Sequence, residues 1–177
     1  MKTRRLFYAL WPDDGLRRAL AAWQRRHLPK SVRATHVQDL HITLHFLGQV
    51  DESRTAALLA LGERLALPPF ALALDRLGHW SRPAVLWVGP AEIPQPLLTF
   101  HGQLEDELEG LGLEREGRAF RPHLTLARKM RRAPEDLDFE PLEWAVAEWA
   151  LLESCPGERP LYHPLARWPA KKIANQD

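Results

Sequence analysis

The chain has 177 residues, of which 45% are hydrophobic and 27% are charged, and its formal net charge is +1 with histidine neutral. This length allows one domain with a proper core, or two small lobes that share one. A net charge so close to zero excludes a protein that coats duplex nucleic acid through a large positive excess, so we expect any contact with nucleic acid to be local.

Hydrophobic periodicity predicts strands and helices in the first half of the chain. We expect, in order, a buried strand at 6–11, a helix from Pro12 to His27, strands at 33–37 and 40–47 closed by Gly48, a helix at 52–66, and strands at 70–77 and 84–89. The segment 89–96 predicts a turn between two halves of the chain, because it is too short to be a domain linker.

The second half of the chain repeats the order of the first. We expect a helix at 95–111 that Gly112 stops, then strands near 118–128, 144–153 and 160–165. The polar tail, from about 170 to 177, is expected to be flexible. Helices after single strands, together with hairpin-like strand pairs, predict an α+β fold, and the whole chain, 1–177, is interpreted as a single domain with two lobes.

Two four-residue phrases with the same pattern lie 82 positions apart (123 − 41), and each falls on a predicted strand. They are His41-Ile42-Thr43-Leu44 and His123-Leu124-Thr125-Leu126. Side chains alternate between the two faces of a strand. This alternation predicts a core face and an outward face that carries the imidazoles and hydroxyls. The expected core residues are Leu40, Ile42, Leu44, Phe46, Leu124 and Leu126, and the expected outward residues are His41, Thr43, His45, His123, Thr125 and Ala127.

Two imidazoles and two hydroxyls on rigid strands suit displacement at a phosphate. A neutral histidine accepts a proton from water or a hydroxyl, and a protonated histidine gives one to a leaving oxygen. Thr43 and Thr125 offer hydroxyl donors to the phosphate oxygens. Arg128 offers a cation that binds phosphate in a bidentate manner, so no metal is required. These residues do not by themselves decide which histidine is the acid and which is the base.

Other interpretations of the same residues stay open. His41 and His45 would form a zinc pair on a helix, but four residues of a strand span about 13 Å, which Zn–N bonds cannot bridge. Each phrase taken singly is more often structural than catalytic. His45 is interpreted as a wall of the cleft. Trp11 and Phe46 could stack on a nucleobase, although a place in the core is the favoured interpretation of both.

One cysteine, Cys155, cannot form an internal disulfide, which fits a reducing cytosol. No stretch approaches the roughly 18 apolar residues of a membrane helix. The N-terminal apolar run stops at Pro12 and is too short for a signal peptide. We therefore expect a cytoplasmic protein with no membrane contact and no obligate protein partner, and by default a monomer.

The paired phrases and the blocks around them resemble the two-histidine (2H) phosphoesterases. More narrowly, the chain looks like the bacterial and archaeal RNA 2′,3′-cyclic phosphodiesterases, also called 2′–5′ RNA ligases. The likeness covers nearly the whole length, through "RLFYALWP", "LHITLHFLG", "LDRLGHWSRPAVLWVG", "FRPHLTLARK" and the closing "LLES…Y…L…WP". The segment before the first phrase is only loosely similar, and position 45 varies within the family.

The resemblance implies a bilobal α+β fold, in which two pseudo-symmetric lobes of antiparallel sheet with outer helices enclose a central cleft. It implies hydrolysis of a 2′,3′-cyclic phosphate on RNA ends or nucleotides to a 2′-phosphomonoester, and the ligase name implies the ATP-independent reverse step. On this basis His41 is the proton donor and His123 is the proton acceptor, while Thr43, Thr125 and Arg128 hold the phosphate, with no metal or cofactor. Two alternatives remain: a 2H enzyme for another substrate, such as a 2′,5′-oligonucleotide or cyclic ADP-ribose phosphate, and a non-catalytic protein that binds RNA ends.

Overall fold

A computed structural model describes residues 1–172 of the chain and confirms the predicted α+β class. The strands are β1 (Thr3–Leu10), β2 (Arg33–Ala34), β3 (Ile42–Asp51), β4 (Phe70–Leu74), β5 (Arg76–Trp80), β6 (Val85–Gly89), β7 (Leu124–Arg128), β8 (Leu142–Val146), β9 (Glu148–Ser154) and β10 (Tyr162–Pro169). The α-helices are α1 (Asp14–His27), α2 (Thr55–Arg64) and α3 (Gln95–Gly110). None of the described helices is both long enough and apolar enough to cross a membrane.

The main sheet has eight strands, and every pairing in it is antiparallel. Its order is β10-β9-β1-β3-β7-β6-β5, and the short β2 pairs with β7 beside β3. The strands β4 and β8 form a separate two-stranded sheet. The predicted single strand at 144–153 is therefore wrong, since its two ends belong to different sheets.

The two groups of strands on either side of the β3–β7 junction are not the two halves of the sequence. The group next to β3 takes β9 and β10 from the end of the chain, and the group next to β7 takes β5 and β6 from before residue 90. One residue pair, Ile42 with Leu124, joins β3 to β7. These two residues are also separated by 82 positions, so the junction relates the two His-x-Thr-Leu phrases by an approximate two-fold axis.

Alternation along β1 separates the packed interior from the face of the cleft. Leu6, Tyr8 and Leu10 lie in the large core, where the Tyr8 hydroxyl donates to the Leu58 carbonyl of α2 at 2.8 Å. Phe7, Ala9 and Trp11 belong to a smaller apolar cluster on the opposite face, which includes Ala150 and Leu152 and against which Tyr162 packs. Burial of the large cluster stabilises the sheet, while the smaller cluster supports one wall of the site described below.

Several predicted boundaries differ from the observed ones. Gly48 does not end β3, because it lies in a bulge at φ 71° and the strand continues to Asp51. Chain-end flexibility from residue 170 was predicted, but the amide of Ala170 donates to the Ala147 carbonyl at 2.7 Å and that of Lys171 to the Leu67 carbonyl at 2.8 Å. The rest of the predicted tail, 173–177, lies outside the described residues.

Candidate active site

The register of the β3–β7 junction brings the two His-x-Thr-Leu phrases together. Because Ile42 pairs with Leu124, continuation of the antiparallel register places His41 opposite Thr125 and Thr43 opposite His123. The two histidines are then diagonal neighbours, and such neighbours lie roughly 7–8 Å apart. At that separation of the two residues, long or aromatic side chains are still within reach of each other.

A β-bulge at the same place in each phrase reverses the alternation that the sequence predicted. Leu44 is the extra residue in β3, since Tyr8 pairs with His45 and Ala9 with Thr43. Leu126 is the extra residue in β7, since Leu86 pairs with Ala127 and Trp87 with Thr125. A bulge turns every following side chain to the other face.

The bulges correct three predictions about which side chains face the cleft. His45 and Ala127, both predicted to point outward, are buried with 4% and 0% exposure. Phe46, predicted to be in the core, is 44% exposed and lines the cleft. Arg128 lies five positions after His123 and would face away from it on a flat strand. The bulge returns Arg128 to the cleft beside Thr125.

His41 is held in one tautomer by the backbone. Its Nδ1 lies 2.6 Å from the Asp39 carbonyl oxygen, which can only accept, so Nδ1 carries the proton and Nε2 is left to react. The Thr43 hydroxyl lies 3.0 Å from Nε2. The ring is fixed between Phe7 and Tyr162, each with its ring centroid 5.0 Å away.

His123 has the same backbone arrangement. Its Nδ1 donates to the carbonyl of Arg121, again two residues earlier, at 2.8 Å. Trp80 meets the imidazole edge-on with ring centroids 4.6 Å apart. Gly89 of the neighbouring strand β6 packs closely against the backbone of Pro122 and His123. A Cβ added at Gly89 would lie 2.6 Å from the Pro122 carbonyl oxygen and 3.6 Å from the His123 Cα. Both histidines therefore present Nε2 as the nitrogen free for chemistry.

Burial favours the neutral form of both imidazoles in the free protein. Burial lowers the pKa of His41 to about 4 against the opposing effect of the Asp39 carbonyl, and His123 and Arg17 lower it further through their charges. Burial also lowers the pKa of His123, the Arg121 carbonyl opposes this, and Arg128 lowers it further. The effect of His123 on the pKa of His41 places the two rings within electrostatic range of each other.

Asp39 and Arg17 position His41, and the sequence analysis missed both. The buried Asp39 carboxylate accepts from the amides of Leu161 and Tyr162 at 3.1 and 3.0 Å, which seats Tyr162 against the His41 ring. Arg17, 2% exposed, donates to the carbonyls of Val37 at 2.8 Å and Leu40 at 2.9 Å. Tyr162 lies in the closing block of the family resemblance, which was the one available signal for it.

Two arginines meet at the centre of the cleft. Arg128 of β7 lies directly opposite Arg33 of β2 in the antiparallel register, and both are exposed. Like charges directly opposite each other destabilise a strand pair unless an anion lies between them. This pair is therefore a candidate anion site, and Arg33 is a third residue that the sequence did not predict.

The cleft has two parts that share Thr125 and Arg128. The part that we call the His41 pocket has a volume of about 270 Å³, and its lining includes Arg33, Thr35, His36, His41, Arg159 and Tyr162. The part that we call the His123 pocket has a volume of about 770 Å³, and its lining includes Phe46, Trp80, Arg82, Arg118, Phe120, Arg121 and His123. Thr43 lines the His123 pocket. All five residues predicted for catalysis and phosphate binding thus border one cleft, with one of the two predicted catalytic histidines in each part.

His45 belongs to a buried polar pair beneath the cleft. Its Nδ1 contacts the Glu105 carboxylate of α3, and the two side chains are only 4% and 7% exposed. The other carboxylate oxygen of Glu105 accepts from the Glu116 amide at 3.1 Å. His45 contacts the Glu105 carboxylate whereas His41 contacts the Asp39 carbonyl, so the two imidazoles do not share a partner as the zinc pair considered from the sequence would. His45 instead helps to anchor the loop that leads to His123.

Replacing Glu105 by alanine is expected to destabilise the protein by about 1–3 kcal/mol, because it leaves the buried imidazole of His45 without its partner. Urea unfolding measures the change. Glu107→Ala is the matched control, because Glu107 lies on the same helix but pairs with Arg64 at 2.8 Å on the surface. We expect the control to change stability by less than about 1 kcal/mol. Equal losses in the two variants would contradict the structural role of the buried pair.

Comparison with known proteins places these features in context. Residues 12–157 match the model of the 2′-5′ RNA ligase superfamily. The RNA 2′,3′-cyclic phosphodiesterase of Escherichia coli K12 is 34% identical over 93% of this chain and 96% of its own length. That of Thermus thermophilus is 34% identical over 85% of this chain and 81% of its own length. The crystal structure of E. coli LigT in apo form superposes with a TM-score of 0.83 at 31% identity, covering 97% of this chain and 100% of that one. The crystal structure of E. coli LigT complexed with 3′-AMP superposes with a TM-score of 0.82 at 32% identity, covering 97% of this chain and 100% of that one.

Proposed function

The chain belongs to the 2′-5′ RNA ligase superfamily, and on that premise we propose that it hydrolyses 2′,3′-cyclic phosphates on RNA ends or nucleotides to 2′-phosphomonoesters. Its curated relatives carry the name RNA 2′,3′-cyclic phosphodiesterase, and a related structure holds 3′-AMP. These names favour a cyclic phosphate over a 2′,5′-oligonucleotide or cyclic ADP-ribose phosphate. The acid and base side chains present in the cleft favour an enzyme over a non-catalytic RNA binder.

The observation that carries the proposal is the matched presentation of two imidazoles. Each Nδ1 donates to the carbonyl two residues before it, at 2.6 Å for His41 and 2.8 Å for His123. Each Nε2 is therefore the reacting nitrogen, and the two rings border parts of the cleft that meet at Thr125 and Arg128. This arrangement suits an in-line displacement, in which the attacking and leaving oxygens lie on opposite sides of phosphorus.

In the proposed reaction, water attacks phosphorus from the side of His123. His123 accepts a proton from the water through Nε2 while the new P–O bond forms. The bond from phosphorus to the 3′ oxygen breaks, and protonated His41 gives its Nε2 proton to that oxygen. The phosphate stays on the 2′ oxygen. One proton enters and one leaves the enzyme, so the resting state returns after proton exchange with water.

The phosphate oxygens are held by the residues that line the centre of the cleft. Thr43 and Thr125 donate hydroxyl hydrogen bonds, and Arg128 supplies the positive charge, helped by Arg33 opposite to it. Donors already in place cost no reorganisation when charge grows on the oxygens in the transition state. We also propose that the protein is a cytoplasmic monomer. Its one cysteine, Cys155, cannot form an internal disulfide, which fits a reducing compartment.

Phosphorus NMR of the product from a nucleoside 2′,3′-cyclic phosphate tests the activity and the regiochemistry together. We expect the cyclic signal to be replaced by that of the 2′-phosphomonoester, because His41 protonates the 3′ oxygen. A 3′-phosphomonoester product would contradict the assigned leaving group, and an unchanged cyclic signal would contradict the function.

Turnover is expected to be unchanged, within about twofold, in excess EDTA. The reason is that imidazoles transfer both protons and Arg128 neutralises the phosphate, so no Lewis acid is needed. Initial rates with and without the chelator, using protein dialysed against it, provide the measurement. Loss of activity that returns when a divalent cation is added would contradict this mechanism.

The optimum of kcat/KM is expected to lie below pH 6.5. This parameter reports the free enzyme, in which burial lowers the pKa of His41 to about 4 and also lowers that of His123. The value of kcat/KM rises with pH as His123 loses its proton and falls as His41 loses its proton. Both limbs of the pH profile therefore lie below pH 6.5, the ordinary pKa of histidine. A bound phosphate anion raises both pKa values, so the optimum of kcat shifts to higher pH. A kcat/KM optimum above pH 7.5 would contradict the desolvated imidazoles.

A further inference from the structure

The connection between β9 and β10 brings three side chains of the metal-binding types together. Cys155 follows the end of β9, Glu158 lies in the turn, and His163 lies in β10. One ligand atom from each of the three lies within 4.8 Å of the other two. Within residues 1–172, no other three histidine, cysteine or acidic side chains converge in this way. None of the three is among the residues that transfer a proton or hold the phosphate in the proposed reaction.

The backbone produces this arrangement for a local reason. Cys155, Pro156, Gly157 and Glu158 follow one another, and proline at the second position with glycine at the third is the preferred sequence of a type II β-turn. Gly157 has a φ of 89°, and the Glu158 amide donates to the Cys155 carbonyl at 3.1 Å, as in that turn. The Cys155 amide donates to the Leu161 carbonyl at 2.8 Å. The turn therefore brings Glu158 back toward Cys155 and the start of β10.

The His163 imidazole already faces oxygen atoms that can bind a cation. Its Nε2 lies 3.0 Å from a Glu158 carboxylate oxygen and 2.9 Å from the Pro160 carbonyl oxygen. Atoms bound to one tetrahedral zinc ion lie roughly 3.3–3.6 Å apart, because the bonds to the metal are about 2.0–2.3 Å long. The three ligand atoms therefore need to shift by only about 1 Å to share one ion. The Glu158 side chain is 60% exposed and can make this shift by rotation.

The charges around the three side chains favour a cation. Burial raises the pKa of the Cys155 thiol, and the carboxylates of Glu153 and Glu158 raise it further. Arg4 opposes this effect, but its guanidinium is paired with Glu52 at 2.9 Å and with Glu153 at 3.3 Å. A divalent ion balances one thiolate and one carboxylate, and its binding releases the thiol proton to solvent.

We propose that Cys155, Glu158 and His163 bind one divalent cation of the zinc type. Ca²⁺ and Mg²⁺ do not suit the site, because they select ligand sets built from oxygen and not from sulfur and nitrogen. One thiolate, one imidazole and one carboxylate are ligands that Zn²⁺ accepts, and three protein ligands leave a fourth position for water. The site goes beyond the proposed function and does not depend on it.

The cation fastens the loop that forms one wall of the His41 pocket. Arg159, Leu161 and Tyr162 lie between two of the ligands in the sequence, and all three line that pocket. The Asp39 carboxylate already holds the amides of Leu161 and Tyr162 at 3.1 and 3.0 Å. The cation adds a second anchor to this loop and stabilises the folded protein. It contacts neither His41 nor His123, so the expected insensitivity of turnover to EDTA stands.

A Co²⁺ titration tests the site, using reduced protein that has been dialysed against EDTA and then against buffer without chelator. Cobalt bound by a thiolate gives a sulfur-to-metal charge-transfer band in the near ultraviolet, and Cys155 is the one cysteine of the chain. We expect the band to saturate at one Co²⁺ per chain and to disappear when Zn²⁺ is added. In Glu158→Gln and in His163→Ala the affinity for Co²⁺ should fall about 100-fold or more, since even the partners behind metal ligands are worth about 10–100-fold.

His27→Ala is the matched control, because His27 stacks on Trp23 at the end of α1 and should leave Co²⁺ binding unchanged. A band that keeps its wild-type affinity in both ligand variants would mean that the thiol binds alone, and it would overturn the proposal. So would the absence of the band in wild type, an equal loss in His27→Ala, or a band per chain that grows with protein concentration, which indicates an ion shared between two chains.

Thermal unfolding provides a second, independent measurement. Zn²⁺ should raise the Tm of wild type progressively with its concentration, because it binds the folded chain, and it should not raise the Tm of either ligand variant. Unfolding in EDTA checks that both variants fold, and Glu158→Gln changes only an exposed side chain of the turn. An unchanged wild-type Tm at saturating Zn²⁺ would overturn the anchoring of the loop. Neither measurement uses hydrolysis, so failure of this site would leave the proposed function intact.

Discussion

Replacement of either His41 or His123 by alanine is expected to lower kcat for cyclic phosphate hydrolysis by at least about 10²-fold. Each variant removes one of the two proton transfers on which the proposed reaction depends. His41 and His123 are only partly buried, so we expect their removal to cost the fold little. Steady-state kinetics measures the loss, and circular dichroism during thermal unfolding checks the fold.

Two further variants separate proton transfer from positioning. Asparagine at position 41 or 123 keeps a donor for the backbone carbonyl that Nδ1 now contacts but cannot transfer the proton, so it should be as inactive as alanine. His27→Ala is the control for histidine removal, because His27 stacks on Trp23 at the end of α1, away from the cleft. The residual activity of His41→Ala should lose the alkaline limb of its pH profile, and that of His123→Ala should lose the acid limb. Exchanged limbs would reverse the assigned roles.

Replacement of Arg128 by alanine is expected to lower kcat/KM by about 10²–10³-fold, because it removes the main positive charge at the transition-state phosphate. Lysine at this position should restore only part of the loss, since an ammonium group does not bind two phosphate oxygens with a planar fork. Arg33→Ala should cost less than Arg128→Ala, because Arg33 lines only the His41 pocket whereas Arg128 lines both parts.

The neighbouring basic residues provide the control for this experiment. Arg131 and Arg132 follow Arg128 in the same run of the sequence but line a different hollow with Pro134. Their replacement by alanine should leave kcat/KM within about twofold of wild type when measured at fixed ionic strength. Comparable losses from Arg128→Ala and Arg131→Ala would mean that the basic run acts by general attraction of RNA and not through one phosphate contact.

The chemistry of the candidate site could be predicted from the sequence because it depends on residue types and short spacings. An imidazole and a hydroxyl two residues apart must share one face of a strand, so each phrase by itself predicts a histidine–threonine pair. The repeat after 82 residues predicts two such pairs in one cleft (123 − 41). The α+β class followed from periodicity in the same local way.

The partners of these residues depend on contacts that no local pattern contains. Asp39 orients His41 through its carbonyl and seats Tyr162 through its carboxylate, and the latter contact joins residues 123 positions apart in the sequence. Arg33 meets Arg128 only because β2 adds to the edge of β7. Such contacts depend on the order of strands in the sheet.

The amino-acid sequence by itself determined which groups we propose that this protein brings to a phosphate: two imidazoles, two hydroxyls and a guanidinium. Only the tertiary structure decided which way the residues after them face. Leu44 and Leu126 are each an extra residue against a neighbouring strand, so the alternation reverses beyond them, burying His45 and turning Phe46 and Arg128 toward the cleft. The physical reason is that a bulge is a property of the register between two strands, and the register is set by the packing of the whole sheet.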